Sequence, residues 1–65
     1  MKTLTCTDNR ISVTMMFNAD GADGILAVAQ IEGEYWFTLG WFKTETGAVR
    51  SARRQLSSHG YTLNA

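Results

Sequence analysis

Residues 25–42 read ILAVAQIEGEYWFTLGWF, two runs of strand-forming residues separated only by Glu32 and Gly33. The first run, Ile25–Ile31, is apolar at nearly every position, the pattern of a strand covered on both faces in the middle of a sheet. The second, Glu34–Phe42, holds Tyr35, Trp36, Phe37, Trp41 and Phe42, side chains that suit a pleated surface. A link this short, ending in glycine, ties the runs into an antiparallel hairpin.

Toward the N-terminus, Ile11, Val13, Met15 and Phe17 alternate with Ser12, Thr14 and Met16, the period of two expected of a half-buried strand. Thr3 to Thr7 alternates as well, with Leu4 and Cys6 on one side and hydroxyls on the other, and reads as a short edge strand closed by a turn at Asp8-Asn9. Between the strands that end at Phe17 and begin at Ile25, the stretch NADGADG contains two Asp-Gly pairs and reads as a turn. It is not a calcium loop of the helix-loop-helix kind. Counted from Asn18, the ligand positions 5 and 12 fall on Ala22 and Ala29, which have no side-chain oxygen.

Past Lys43 the period lengthens to that of a helix. Ala48, Val49, Ala52 and Leu56 form one narrow apolar stripe on a helix of about residues 45–58. Thr44 is its N-cap, Glu45 sits where the helix dipole favours a carboxylate, and His59, Gly60 and Tyr61 spell a Schellman stop with Tyr61 folding back on Leu56. Tyr61 to Leu63 then returns toward the sheet. The expected architecture is α+β: an antiparallel sheet of three to five strands with one C-terminal helix across one face, in a single domain, 1–65. Strict alternation sets Phe37, Leu39 and Trp41 under the helix and leaves Trp36, Leu26, Val28 and Met16 on the other face. A contiguous apolar patch of that kind predicts a homodimer or a tight partner covering Trp36.

Composition excludes several classes. At 65 residues only ~60% of the unfolded surface can be buried, so the core is small and a ligand-sized pocket is hard to enclose. With 45% hydrophobic and 18% charged residues and no proline, the chain is globular in composition. No apolar run approaches the ~18 residues of a membrane span, and the first 17 residues lack the apolar block of a signal peptide, so the reading is a cytoplasmic protein with no membrane contact.

Six basic and six acidic residues cancel, but they are not mixed. Residues 1–42 carry Lys2 and Arg10 against Asp8, Asp20, Asp23, Glu32 and Glu34, a net −3; residues 43–65 carry Lys43, Arg50, Arg53 and Arg54 against Glu45, a net +3. An acidic sheet attracting a basic helix within the fold explains this layout, and so does a basic surface kept for an anionic partner. Arg50, Arg53, Arg54 and Ser57 lie three and four apart, on a face turned away from the apolar stripe. Arginine is the side chain suited to phosphate and to bidentate carboxylate recognition, so these three are the candidate partner-binding residues, with Trp36 the candidate on the sheet.

The chemistry of catalysis is poorly supplied. The sole histidine, His59, is accounted for by the helix C-terminus, and the sole cysteine, Cys6, by the inward side of a strand. Asp20/Asp23 and Glu32/Glu34 are paired carboxylates on turns, where nothing desolvates them enough to raise a pKa for general acid work. Neither GxGxxG nor GxxxxGK[ST] occurs. No enzymatic activity, no metal and no cofactor are expected.

The segment Tyr35-Trp36-Phe37-Thr38-Leu39-Gly40-Trp41-Phe42-Lys43-Thr44, followed by Gly47-Ala48, resembles the strand-to-helix junction of AP2-type and integrase N-terminal DNA-binding domains. That resemblance implies DNA contact through the sheet. Those sheets carry several Arg and Lys, whereas residues 25–42 here contain none. The same junction with Leu56 and Gly60-Tyr61 resembles half of a SPOR peptidoglycan-binding domain, which needs a second βα unit and an exported location. Each resemblance spans about 30 residues and assigns no family. Beginning with Met and carrying a whole fold without a catalytic set, the chain reads as a small binding protein that occludes or bridges a larger protein or nucleoprotein. Phage and plasmid accessory inhibitors of host defence, such as anti-CRISPR proteins, are built at this scale. The alternatives are a DNA-binding regulator using the Arg-rich helix, with weak non-specific nucleic-acid binding, and a structural homo-oligomer subunit.

Overall fold

The structure is a computed structural model and describes residues 1–17 and 24–64. Among the described residues four antiparallel strands lie in sequence order, β1 (Lys2–Thr5), β2 (Ile11–Phe17), β3 (Ile25–Ile31) and β4 (Glu34–Phe42), followed by one helix, α1 (Glu45–Ser57). The turn and the calcium-loop test at residues 18–23, with Asp20 and Asp23, lie outside the described residues.

Each link follows from local chemistry. Ile31 faces Glu34 across a two-residue turn in which Glu32 and Gly33 both take positive φ, +53° and +82°. Such a turn has the twist that suits a tight hairpin, and glycine holds its second position without strain. At the β1–β2 turn the Asp8 carboxylate accepts the Arg10 backbone N–H at 3.1 Å and receives its guanidinium through both oxygens, at 3.1 and 2.9 Å. These bonds favour the ionised carboxylate. First the Arg10 side chain and then its backbone N–H hold Asp8 down at about 2, below the usual carboxylate range. A carboxylate with a lowered native pKa stabilises the fold above its unfolded pKa, near ~3.9, and loses that contribution as pH falls toward the native value. The β1–β2 turn is therefore expected to loosen between about pH 4 and pH 2. An amide-proton NMR titration should show Arg10 and Ile11 shifting in that window, and Asp8→Asn should abolish the transition.

The helix begins where Thr44 Oγ1 accepts the Gly47 N–H at 3.0 Å. It ends in a Schellman pair. Tyr61 N–H donates to Leu56 C=O and Gly60 N–H to Ser57 C=O, both at 3.0 Å, with Gly60 at φ +86°. The chain then runs back to the sheet: Thr7 N–H donates to Thr62 C=O at 2.8 Å, Asn64 N–H to Thr5 C=O at 3.1 Å, and Leu63 bridges Cys6. The edge expected at β1 is thus partly covered by the C-terminal tail.

The core lies between the sheet and α1. It holds Cys6, Ile11, Val13, Met15, Ile25, Ala27, Ala29 and Leu39 from the sheet side, Ala48, Ala52 and Leu56 from the helix, and Leu63 from the tail. Alanines on both sides let helix and sheet approach closely. Lys2, on the helix side of β1, reaches the first turn of α1 and pairs with Glu45 at 2.7 Å.

Strict alternation fails in β4, and this changes which tryptophan is exposed. Register shifts fall between Ala27 and Val28 and between Ala29 and Gln30, so Leu39 and Trp36 are extra residues opposite β3. Phe37, opposite Ala29, and the extra Leu39 both serve the helix side. Beyond the second bulge Trp41 pairs with Leu26 and turns to the open face, 52% exposed, where the sequence placed it under the helix. Trp36 makes the opposite move. Expected on the open face, it packs edge-on against Phe37, His59 and Tyr61 at the C-terminal end of α1, with ring centroids 4.8, 5.0 and 5.9 Å apart. The patch assigned to Trp36 therefore belongs to Trp41.

Candidate functional site

Arg50, Arg53 and Arg54 are all exposed on α1. The spacing that produces this follows from the helix itself: at about 100° per residue, the buried stripe Ala48-Ala52-Leu56 fixes one side and sends these arginines to the other. Two of the three share a groove. Glu45, Thr46, Val49, Arg50 and Arg53 line an open concavity of about 280 Å³ along one flank of the helix. Val49 supplies an apolar floor packed against the core, Thr46 a hydroxyl, and the two arginines planar charged donors. Arg54 stands one residue further round, outside the lining.

The one carboxylate in the groove is already engaged. Glu45 takes the Lys2 ammonium at 2.7 Å, so it opposes the arginine field less than a lone carboxylate would. Lys2 and Glu45 side chains are each about half exposed, at 49% and 44%, so the pair is screened and contributes little to folding. Its role in the groove is to balance charge and to pin the first turn of the helix to β1.

On the opposite flank, Gln55 Nε2 donates to the Leu39 carbonyl of β4 at 3.1 Å and to Ser51 Oγ at 2.9 Å. The groove therefore faces away from β4. Trp36 belongs to β4 and lies beside His59, past the end of the helix, so the structure does not bring it together with the arginines. Of the four candidate residues, Arg50 and Arg53 form one surface, Arg54 adjoins it, and Trp36 supports the fold elsewhere.

The sole cysteine and the sole histidine both sit in structural surroundings. Cys6 is fully buried, and burial first, then the Asp8 carboxylate, push its thiol up. His59 donates its backbone N–H to Leu56 C=O at 3.0 Å and lays its ring against Trp36 and Phe37. It thus packs as an aromatic as well as ending the helix. Among the described residues no group of three or more His, Cys, Asp and Glu is placed to hold a metal ion, and no helix is long and apolar enough to cross a membrane.

The residues that the sequence did not single out are Trp41 and Tyr35. Tyr35 faces Gln30 on the open side, 68% exposed, with its hydroxyl 3.0 Å from Thr38 Oγ1. A signal for the placement of Trp41 was present in Gly40, next to the extra Leu39, since glycine inside a strand marks a bulge. Its φ of +138° is one that other side chains rarely adopt. No protein-family model matches this sequence, and no curated protein or solved structure matches it either.

Proposed function

We propose that this protein is a small non-enzymatic binding protein whose Arg50–Arg53 groove, flanked by Arg54, engages an acidic or phosphate-bearing surface of a larger protein or nucleoprotein. The observation that supports this most is the groove itself: two arginines, a hydroxyl and an apolar floor on one exposed helix flank, with the local carboxylate paired to Lys2. Arginines in such a place make charge-assisted, bidentate contacts to carboxylates and phosphates. The protein acts by occupying that surface, as an accessory inhibitor of phage or plasmid type would, and brings no reaction of its own.

An Arg50→Ala/Arg53→Ala/Arg54→Ala variant tests the proposal. Exposed helix positions usually change stability by within ~0.5 kcal/mol each, so the variant should melt close to wild type. Its retention of partners from lysate should fall at least ~10-fold, the effect of losing about 1.4 kcal/mol of binding. Nuclease treatment separates the readings. A partner kept after nuclease is a protein; one lost with it is nucleic acid. Binding to a random DNA duplex should be weak and should steepen with salt by no more than ~3 phosphate contacts, a log–log slope no steeper than about −2.7. A triple variant that retains every partner at wild-type level would place the working surface elsewhere.

A further inference from the structure

The sheet has a second face, and the groove does not use it. Cross-strand pairing puts Thr3, Thr5, Ser12, Thr14, Met16, Leu26, Val28, Gln30, Tyr35, Thr38 and Trp41 on the side away from α1. Three properties of this face narrow what covers it. None of these eleven described side chains is charged, although the chain has twelve Asp, Glu, Lys and Arg residues. Its hydroxyls are largely satisfied within the protomer. Thr14 Oγ1 donates to Gln30 Oε1 at 2.6 Å and lies 3.3 Å from Thr3 Oγ1, Ser12 Oγ donates to the same Gln30 oxygen at 3.4 Å, and Tyr35 is bonded to Thr38. Such a face can be dried without orphaning those groups. Its polarity is also segregated along the strands: Ser12, Gln30 and Tyr35 lie at one end, and Met16, Leu26 and Trp41 at the other, with Val28 and Thr14 between.

We infer that this face is the contact between two copies of the chain, stacked sheet on sheet. A two-fold axis lying along the strands sets the apolar end of one copy on the apolar end of the other, and hydroxyl end on hydroxyl end. An uncharged face meets its own copy without repulsion, whereas it offers nothing to a phosphate-bearing or strongly charged partner. Size agrees. The chain measures 32 × 21 × 16 Å, and stacking the two broad faces removes on the order of 1,200 Å² from water, at the lower bound of stable interfaces. The edges are less suited to a second copy. The tail at Thr62–Asn64 pairs beside β1, while β4 is bent by two bulges and has its Leu39 carbonyl taken by Gln55, devices that blunt strand addition. Because α1 lies on the far side of each sheet, the dimer displays two arginine grooves on its two outer surfaces, which makes any partner binding bivalent.

Sedimentation equilibrium of the full chain from about 1 μM to 1 mM, without any partner, tests this. Wild type should reach twice its 7.2 kDa mass within that range. Trp41→Lys should weaken the dimer at least ~30-fold, as expected for an interface tryptophan, while its circular dichroism and melting stay native because the side chain is half exposed in the protomer. Met16→Lys supplies the same test at a second position. In a Trp36→Phe background, emission from Trp41 should shift to the blue as dimer forms. Arg50→Ala/Arg53→Ala/Arg54→Ala should dimerise as wild type, so failure of the groove proposal leaves this one standing. A wild-type monomer up to 1 mM overturns the inference. So does a dimer that persists in natively folded Trp41→Lys and Met16→Lys, since it then uses an edge or the helix, and so does burial of Trp41 only when a different macromolecule is added.

Discussion

Leu56→Ala should leave the protein largely unfolded at 25 °C. Leu56 is fully buried and is the largest side chain that α1 places in the core; Ala48 and Ala52 beside it add little volume of their own. Its carbonyl also accepts the His59 and Tyr61 N–H groups, so the residue anchors the helix end as well as the helix face. Truncating a buried leucine to alanine costs ~2–5 kcal/mol, and a chain of this length has ~3–5 kcal/mol to lose. The helix is the one regular element over the sheet, and the tail covers it only near Cys6, so little else in the described fold can close over the cavity. Urea unfolding followed by circular dichroism should show the midpoint falling toward zero, with little native baseline left. Leu56→Met, nearly equal in volume, should cost less than ~1.5 kcal/mol and retain a cooperative transition. A Leu56→Ala protein that unfolds within a few tenths of a molar of the wild-type midpoint would show that the sheet holds itself together without the helix.

The reason this result is predictable from sequence is that its elements are local. The alternation of Ile11–Phe17 and the apolar run Ile25–Ile31 set the strand bounds, because side-chain period and backbone period coincide within a regular strand. Thr44, Gly60 and Tyr61 set the helix ends through bonds spanning three to five residues. The faces of β4 were not legible, because each bulge adds one residue and inverts the parity of those that follow. Between the two bulges Phe37 faces the helix; outside them Tyr35 and Trp41, also odd-numbered, face away. Counting alternate residues outward from Phe37, between the bulges, therefore gives Trp36 and Trp41 each other's places. The arginine face was legible, since spacing on a helix is enough to align it. Its groove was not. The charge balance there depends on Lys2, 43 residues before Glu45, and the choice of flank depends on which side of the helix Gln55 anchors to β4.

Leu63→Ala tests a contact that no periodicity announces, and it should expose the one cysteine. Leu63 is 4% exposed and bridges Cys6 from a tail that the Schellman turn directs back to the sheet. Removing its branched side chain leaves a cavity against the core and should cost ~2–5 kcal/mol. The tail is held to the sheet by few other contacts, chiefly the Thr7-to-Thr62 and Asn64-to-Thr5 backbone bonds, so it should open before the sheet and helix do. Cys6 reports that opening separately from global unfolding. In the native protein its thiol is buried and shifted upward, first by burial and then by the Asp8 carboxylate, so little thiolate is present to react. Alkylation by iodoacetamide at pH 8 should therefore be slow in wild type and faster by about tenfold or more in Leu63→Ala, where a loss of ~1.4 kcal/mol in local closure already suffices. The comparison with Leu56→Met fixes the interpretation. If that variant, brought by added urea to the same global stability as Leu63→Ala but with its tail intact, alkylates as quickly as Leu63→Ala, then Cys6 reacts through global unfolding. Faster reaction in Leu63→Ala at matched overall stability identifies the tail as the cover, the short element that shields the β1 side of the sheet and leaves the uncharged face free for a second copy.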